Sequence, residues 1–383
     1  MPDTSVKLFQ STDAGAPSLS STAGSAIAVL DACLVNGYGS VTLTSLVVSG
    51  NVATATCNAG HGFAAFNSTY PVIQIAGATP GELNGQWRLA SIPDATHFTF
   101  ATTGISDQTA TGTITAKRAA AGWTKPYSGT NLAAYRNSAV SGTGMYLRVD
   151  DTGTADVRVV GYEAMTDVNT GTGPFPTAAQ ISGGAYLGKA NNTSGSRAWI
   201  VIATNALAYV FFASNASYPS AYGSAAFGDL ASLKSGDSYR GVVSGISSAS
   251  TATNTFSFFG STSGTPLHYS PRSYTALGTS QALTLRVPGG ATNTTFLSGN
   301  GTLTYPNGPD NGLLLYPNLR LYEGNQARHV FPCVYVSPQN LGPALGASLF
   351  EVLNVPGLTG RALIGIPQYT NLGVGFVDIT GPW

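Results

Sequence analysis

Hydrophobic and polar positions along the chain alternate in short runs, and the runs are separated by Gly, Ser, Asn and Pro. Runs of that length with period two predict strands. "SLVVSGNVATATC" reads as two strands around the turn Ser49-Gly50-Asn51. "VIQIAG", "QWRLASI", "HFTFA" and "ATGTITAKR" continue the pattern to Lys117, giving about six strands in some 75 residues, the texture of a small β-sandwich or barrel. Further strands are predicted at "MYLRVDD", "ADVRVVGYEAM", "GGAYLGKA", "SYRGVVSGI", "NTFSFFGS", "ALTLRV", "HVFPCVYVSP", "GRALIGIPQ" and "GVGFVDITGPW". The most apolar run, 198 to 213, is broken by Thr204 and Asn205. It predicts a buried hairpin of Trp199 to Ala203 and Ala206 to Phe212 rather than a membrane span. Segment 167 to 184 reads as a loop because Pro174 and Pro176 forbid a central strand, and Pro317 marks an edge or a bend.

Helical period occurs once with force. Ile27, Leu30 and Leu34, with Val29 and Cys33 beside them, form one apolar stripe; Ser21 or Thr22 is the expected N-cap, and Asn36-Gly37 the end. Asp31 is placed toward solvent and Cys33 in the core. The expected class is all-β: a multi-domain sandwich-like or barrel-like body with one short N-terminal helix. No fixed-period repeat or heptad is present.

Composition narrows function mainly by exclusion. Charged residues make up 9% of the chain, against about 25% in ordinary proteins, and 17 basic side chains balance 17 acidic ones. The longest basic cluster is Lys117-Arg118, too little to neutralise a phosphate backbone, so nucleic acid is not an expected partner. Polarity comes instead from 47 glycines and from Ser, Thr and Asn. Such a surface suits a chain packed against copies of itself or other shell proteins, and equally a secreted β protein. The N-terminal stretch shows no signal-peptide pattern.

Candidate chemistry is sparse. Cys57 and His61 in "CNAGHGF" lie four apart, but a zinc site needs three or four ligands, and Cys33, Cys333, His97, His268 and His329 are scattered. Gly60 and Gly62 fit a turn better. Asp150 to Gly153, "DDTG", carries the aspartic-protease string, yet the second loop that chemistry needs is missing; Asp378 to Thr380 lacks its glycine spacing. No Gly-x-Ser-x-Gly elbow accompanies the histidines. Asp150, Asp151, Asp156, Glu163, Asp167, Asp229 and Asp237 are left as carboxylates that could pair in space. Tyr218, Tyr222, Tyr269 and Tyr274 are left as an exposed surface for stacking sugars, or as core. No catalytic, metal-binding or cofactor-binding residue is assigned, and no enzyme or cofactor is expected.

Two sets of residues carry a resemblance. Leu46 to Lys117, with His61-Gly62-Phe63, Ile75, Gly77, Leu83-Asn84-Gly85, Phe98 and Phe100, resembles a small β module of tailed-phage structural proteins, of the kind likened to the first catalytic cysteine half-domain of ubiquitin-activating enzymes. These are packing and turn residues, and no ubiquitin chemistry follows. "GAPSLSSTAGSAIAVLDACLVNGYG", "AGWTKPYSGTNLAAYRN", "MYLRVDDTGTADVRVVGYEAMTDVNTGTGPFPT" and "FVDITGPW" resemble a family of virion proteins encoded among the tail genes of tailed bacteriophages. The matches leave out roughly 215 to 300. The resemblance implies a segment 1–41 belonging to the main body, an inserted module 42–117, a main β body 118–268 and a C-terminal β region 269–383. It implies a structural component of the tail or baseplate, made in the host cytoplasm and resident in the virion. Its expected partners are copies of itself and other virion proteins. The alternatives are a module binding host-surface glycan, a capsid-associated decoration protein, or a polysaccharide depolymerase. Membrane insertion is not expected.

Overall fold

The computed structural model describes residues 2–191, 195–247, 267–286, 303–317, 319–341, 349–353, 355, 357–368 and 374–383. The strand expected at "NTFSFFGS" lies outside them. The fold is nearly all β, as the alternation requires, in four antiparallel sheets.

The largest sheet has ten strands in the order Lys7–Gln10, Trp199–Ala203, Leu207–Phe212, Gly223–Asp229, Gly241–Gly245, Leu267–Ser270, Gln281–Arg286, Arg320–Glu323, Gln326–Val330 and Ala231–Ser232. Ala231–Ser232 follows directly on Gly223–Asp229 in the chain, yet pairs with Gln326–Val330 at the far end of the order. The sheet therefore curls back on itself as a half-barrel. The Trp199–Ala203/Leu207–Phe212 hairpin forms as its sequence dictates, every residue buried, with Thr204 accepting the turn amides of Ala206 and Leu207.

A second sheet runs Gly171–Phe175, Asp156–Met165, Tyr146–Asp150, Leu132–Arg136, Thr124–Gly129, with Ala185–Gly188 also paired to Asp156–Met165. Gly171–Phe175 corrects the loop reading of 167 to 184. Its position at the sheet edge is where Pro174 costs no ladder bond, so the proline argument excluded a central strand but not this one. This sheet, the ten-stranded sheet and the helix share one core that includes Val29, Leu30, Cys33, Tyr135, Trp199, Tyr209 and Phe211.

Tyr38–Ser49, Val52–Cys57, His97–Ala101, Gly85–Ser91, Val72–Ala76 and Thr115–Arg118 close into a six-stranded barrel, because the long first strand pairs with both the second and the last. The barrel has its own core of Leu46, Ile73, Ile75, Leu83, Phe98 and Phe100, among others. The residues that carried the resemblance do packing and turn work here. Gly77, at φ 82°, leaves 2.1 Å between an added Cβ and the Thr113 carbonyl, and the Asn84 side chain bonds both the N–H and the C=O of Ala78. Polar clamps tie barrel to body: the half-buried Arg88 donates to the Asp3 and Val6 carbonyls as well as to its neighbour Tyr70, and the buried Arg118 pairs with Asp13 at 2.7 Å. Burial raises the Asp13 carboxyl, against the pull of Arg118.

The fourth sheet, Tyr316–Pro317, Val334–Val336, Val374–Asp378, Ala362–Pro367, Phe350–Leu353, puts Pro317 in an edge strand, as expected. Its other edge meets the barrel through Glu351, which accepts from Ser68 and Thr69. The division drawn at residue 268 falls inside the strand Leu267–Ser270, and the ten-stranded sheet runs across it to Val330.

The helical path covers its apolar stripe and ends at Asn36-Gly37, as expected, with Gly37 at φ 69°. It is α-helical over Ser25–Leu30 and π-helical over Asp31–Asn36. Neither Ser21 nor Thr22 caps it. Gly24, at φ 85°, occupies the cap position, and the first-turn amides of Ala26 and Ile27, which have no partner within the helix, donate to the Asp151 carboxylate at 2.7 and 3.2 Å. Asp31 faces neighbours rather than solvent: it accepts from Tyr135 Oη at 2.8 Å and Lys125 Nζ at 2.6 Å.

Candidate functional site

Cys57 ends a barrel strand and His61 lies in the turn beyond it; both are buried. The Phe63 amide donates to His61 Nδ1 at 2.9 Å, so that nitrogen is an acceptor and Nε2 carries the proton donated to the Asp94 carbonyl at 3.0 Å. The ring also packs on Phe63 and Phe98. No lone pair is left for a metal, and no cluster of three ligating side chains occurs among the described residues. We expect His61→Ala to destabilise the barrel by about 2–4 kcal/mol through lost packing and hydrogen bonds. Added zinc should leave the wild-type melting curve unchanged; a zinc-dependent rise in Tm, lost in that variant, would contradict this.

Asp151 is fully buried against Lys189 Nζ at 2.5 Å. The same ammonium bonds the Thr22 and Gly153 carbonyls. The protease-like string is thus a helix cap with a buried counter-ion. Asp378 binds its own turn at Thr380 and pairs with Arg361.

The remaining carboxylates are likewise engaged. Asp150 accepts from Thr152, Glu163 forks with Arg272 at 2.7 and 2.8 Å, and Asp167 closes a turn on the Asn169 amide. Asp229 holds Thr143 by its amide and hydroxyl, each at 2.6 Å. Asp156 stands opposite Gly188 in the sheet. Of the four tyrosines read as an exposed surface, Tyr222 and Tyr269 are core, Tyr274 is half-buried and Tyr218 is exposed. Their apolar strand neighbours pull the first two inward.

Inside the curled sheet lie two Ser–His pairs that sequence spacing did not disclose. Ser244 Oγ meets His268 Nδ1 at 2.8 Å, and Ser270 Oγ meets His329 Nε2 at 3.1 Å. The first is a cross-strand pair, since Ser244 stands opposite His268. Among the described residues, the opposite ring nitrogens, His268 Nε2 and His329 Nδ1, are buried without a hydrogen-bond partner. Burial pushes both imidazoles down to about 3. Both imidazoles are shut away from solvent, and no carboxylate among the described residues orients the second nitrogen as a nucleophile–base dyad requires.

At one rim of the curled sheet, Arg328 forms a buried hub. Its Nε and Nη2 bind both Asp237 oxygens at 3.1 and 3.2 Å, Nη1 binds Glu323 at 2.9 Å and the Arg272 carbonyl at 2.6 Å, and Nη2 also binds the Tyr239 carbonyl. The fork holds the Asp237 carboxyl below the usual range against the opposing effect of burial. All five N–H groups of the guanidinium are matched. The hub fixes the 232–240 loop, which with the 141–143 turn walls an open polar groove of about 530 Å³.

No family model matches this chain, and no curated protein matches it. Among solved structures, the phage phi92 endosialidase aligns at 12% identity over 66% of this chain and 43% of that one, with a TM-score of 0.18. The chain thus spans less than half of that protein's length, and the alignment assigns no role to any residue here.

Proposed function

We propose that this chain is a non-enzymatic structural component of a tailed-bacteriophage virion, placed in the tail or baseplate and acting through subunit–subunit interfaces. The observation that carries this reading is the inward use of charge. Lys7, Arg118, Lys189, Arg197 and Arg328 are buried and bonded to internal carbonyls or carboxylates, in a chain with only 17 basic residues. What remains outside is a Ser/Thr/Asn/Gly surface with little charge to desolvate when copies pack together. The resemblance of the helix, Trp123 and C-terminal segments to virion proteins points the same way.

Exposed apolar side chains at loop positions, Val140, Leu233 and Leu277, supply contact points. Purified chain should self-associate with rising concentration in sedimentation velocity. Leu233→Asp with Leu277→Asp should weaken that association at least tenfold without lowering Tm. A clean monomer at high concentration, or association indifferent to both changes, would count against the interface reading.

A further inference from the structure

We propose that the groove between the 141–143 turn and the 232–240 loop is a binding site for an acidic carbohydrate, a function that stands apart from where in the particle the chain sits. Its volume, about 530 Å³, falls in the roughly 300–1,000 Å³ range of small-molecule sites.

The lining specifies the ligand's chemistry. Ser141, Ser235 and Ser238 are exposed and their hydroxyls make no hydrogen bond among the described residues, so each offers a donor and an acceptor. Paired donors and acceptors without apolar walls fit a polyhydroxylated ligand and give little to an apolar one. Charge adds the second element. Asp229 lies buried behind the groove and holds Thr143, and Asp237, though part of the lining, is buried and neutralised by Arg328, whereas Lys234 is exposed and Arg240 is about 31% exposed. The acids are thus spent on internal partners, and the exposed charge at the groove is cationic. Arg240 is anchored by Nη2 on the Ser141 carbonyl at 2.6 Å and its Nε is buried 3.9 Å from Asp229; its Nη1 makes no hydrogen bond among the described residues. Lys234 is steadied by the Tyr274 carbonyl. Two cations suit one or two carboxylates or phosphates on a sugar, and are too few for a nucleic-acid backbone.

The site is pre-organised. Arg328 pins Asp237 and the Tyr239 carbonyl, Ser232 donates to Asp237, and Asp229 pins Thr143, so both walls are set before a ligand arrives.

The test uses the full chain on an array of uronate-, sialate- and phosphate-bearing glycans with neutral counterparts, and inorganic phosphate as a bare-anion control. Saturable binding of an acidic glycan, at least tenfold tighter than its neutral counterpart and than phosphate, is expected. Lys234→Ala should weaken it about tenfold, and Ser235→Ala with Ser238→Ala severalfold, with Tm unchanged. Absence of any saturable acidic binder, equal binding of neutral glycans, phosphate binding as tight as the glycan, or indifference to both sets of changes would overturn the proposal. None of these results bears on the virion reading, which is decided by where the chain lies in the particle.

Discussion

Lys189→Met should lower the unfolding free energy of the body by about 3–5 kcal/mol, because it strands a buried carboxylate. Asp151 and Lys189 are both wholly removed from solvent, and burial already raises the Asp151 carboxyl against the pull of Lys189. Without the ammonium, Asp151 must either stay charged and unpaired or take up a proton and weaken the cap on Ala26 and Ile27. The Thr22 and Gly153 carbonyls lose their donor as well. Adding Asp151→Asn to Lys189→Met should recover part of the loss, since an amide oxygen can still accept from the helix amides and no buried charge remains. Urea unfolding followed by the fluorescence of Trp199, which lies in the same core, reads both variants. A single variant within about 1 kcal/mol of wild type, or a double variant no better than the single, would contradict this account of the pair.

Acid should destabilise the curled sheet at pH values where most proteins remain comfortable. His268 and His329 have imidazoles pushed down to about 3 by burial, against 6.5 for the exposed group. Between those values the unfolded chain binds protons that the native chain refuses. Their stabilising contribution is therefore fully present above pH 6.5 and is lost as pH falls toward 3. Each histidine adds a slope of up to about 1.4 kcal/mol per pH unit. Arg328 and Arg240 oppose protonation of His329 while Asp237 favours it, so burial and the two arginines outweigh the single acid. Melts at pH 7.5, 5.5 and 4.5 should show Tm falling steeply for wild type and less steeply for a His268→Leu, His329→Leu chain. Equal pH slopes in the two proteins would remove the histidines from the explanation.

Much of the strand pattern was legible because burial is written locally. The Trp199 hairpin could be read almost to the residue, since an uninterrupted apolar run broken by Thr204-Asn205 has few other solutions in a β protein. The features that escaped depend on partners far away in sequence. The helix starts at Ser25 rather than nearer Ser21 because its cap is Asp151, and Asp31 turns inward because Tyr135 and Lys125 meet it there. Gly171–Phe175 looked like a loop because prolines argue against strands in general, and an edge position is a tertiary fact. The curl that pairs Ala231–Ser232 with Gln326–Val330 has no local signature, and so the Ser–His pairs within it had none either. The groove left only a faint trace, the polar run "SLKSGDS", whose shape depends on an arginine 91 residues beyond Asp237.

Cryo-electron microscopy of purified particles is the most direct test of the central claim, that this chain works as a virion structural protein through its interfaces. The account predicts density for the curled sheet and its barrel in a symmetric ring at the tail or baseplate, with neighbouring subunits seated on uncharged surfaces. Particles that are complete and infective without any such density would contradict it.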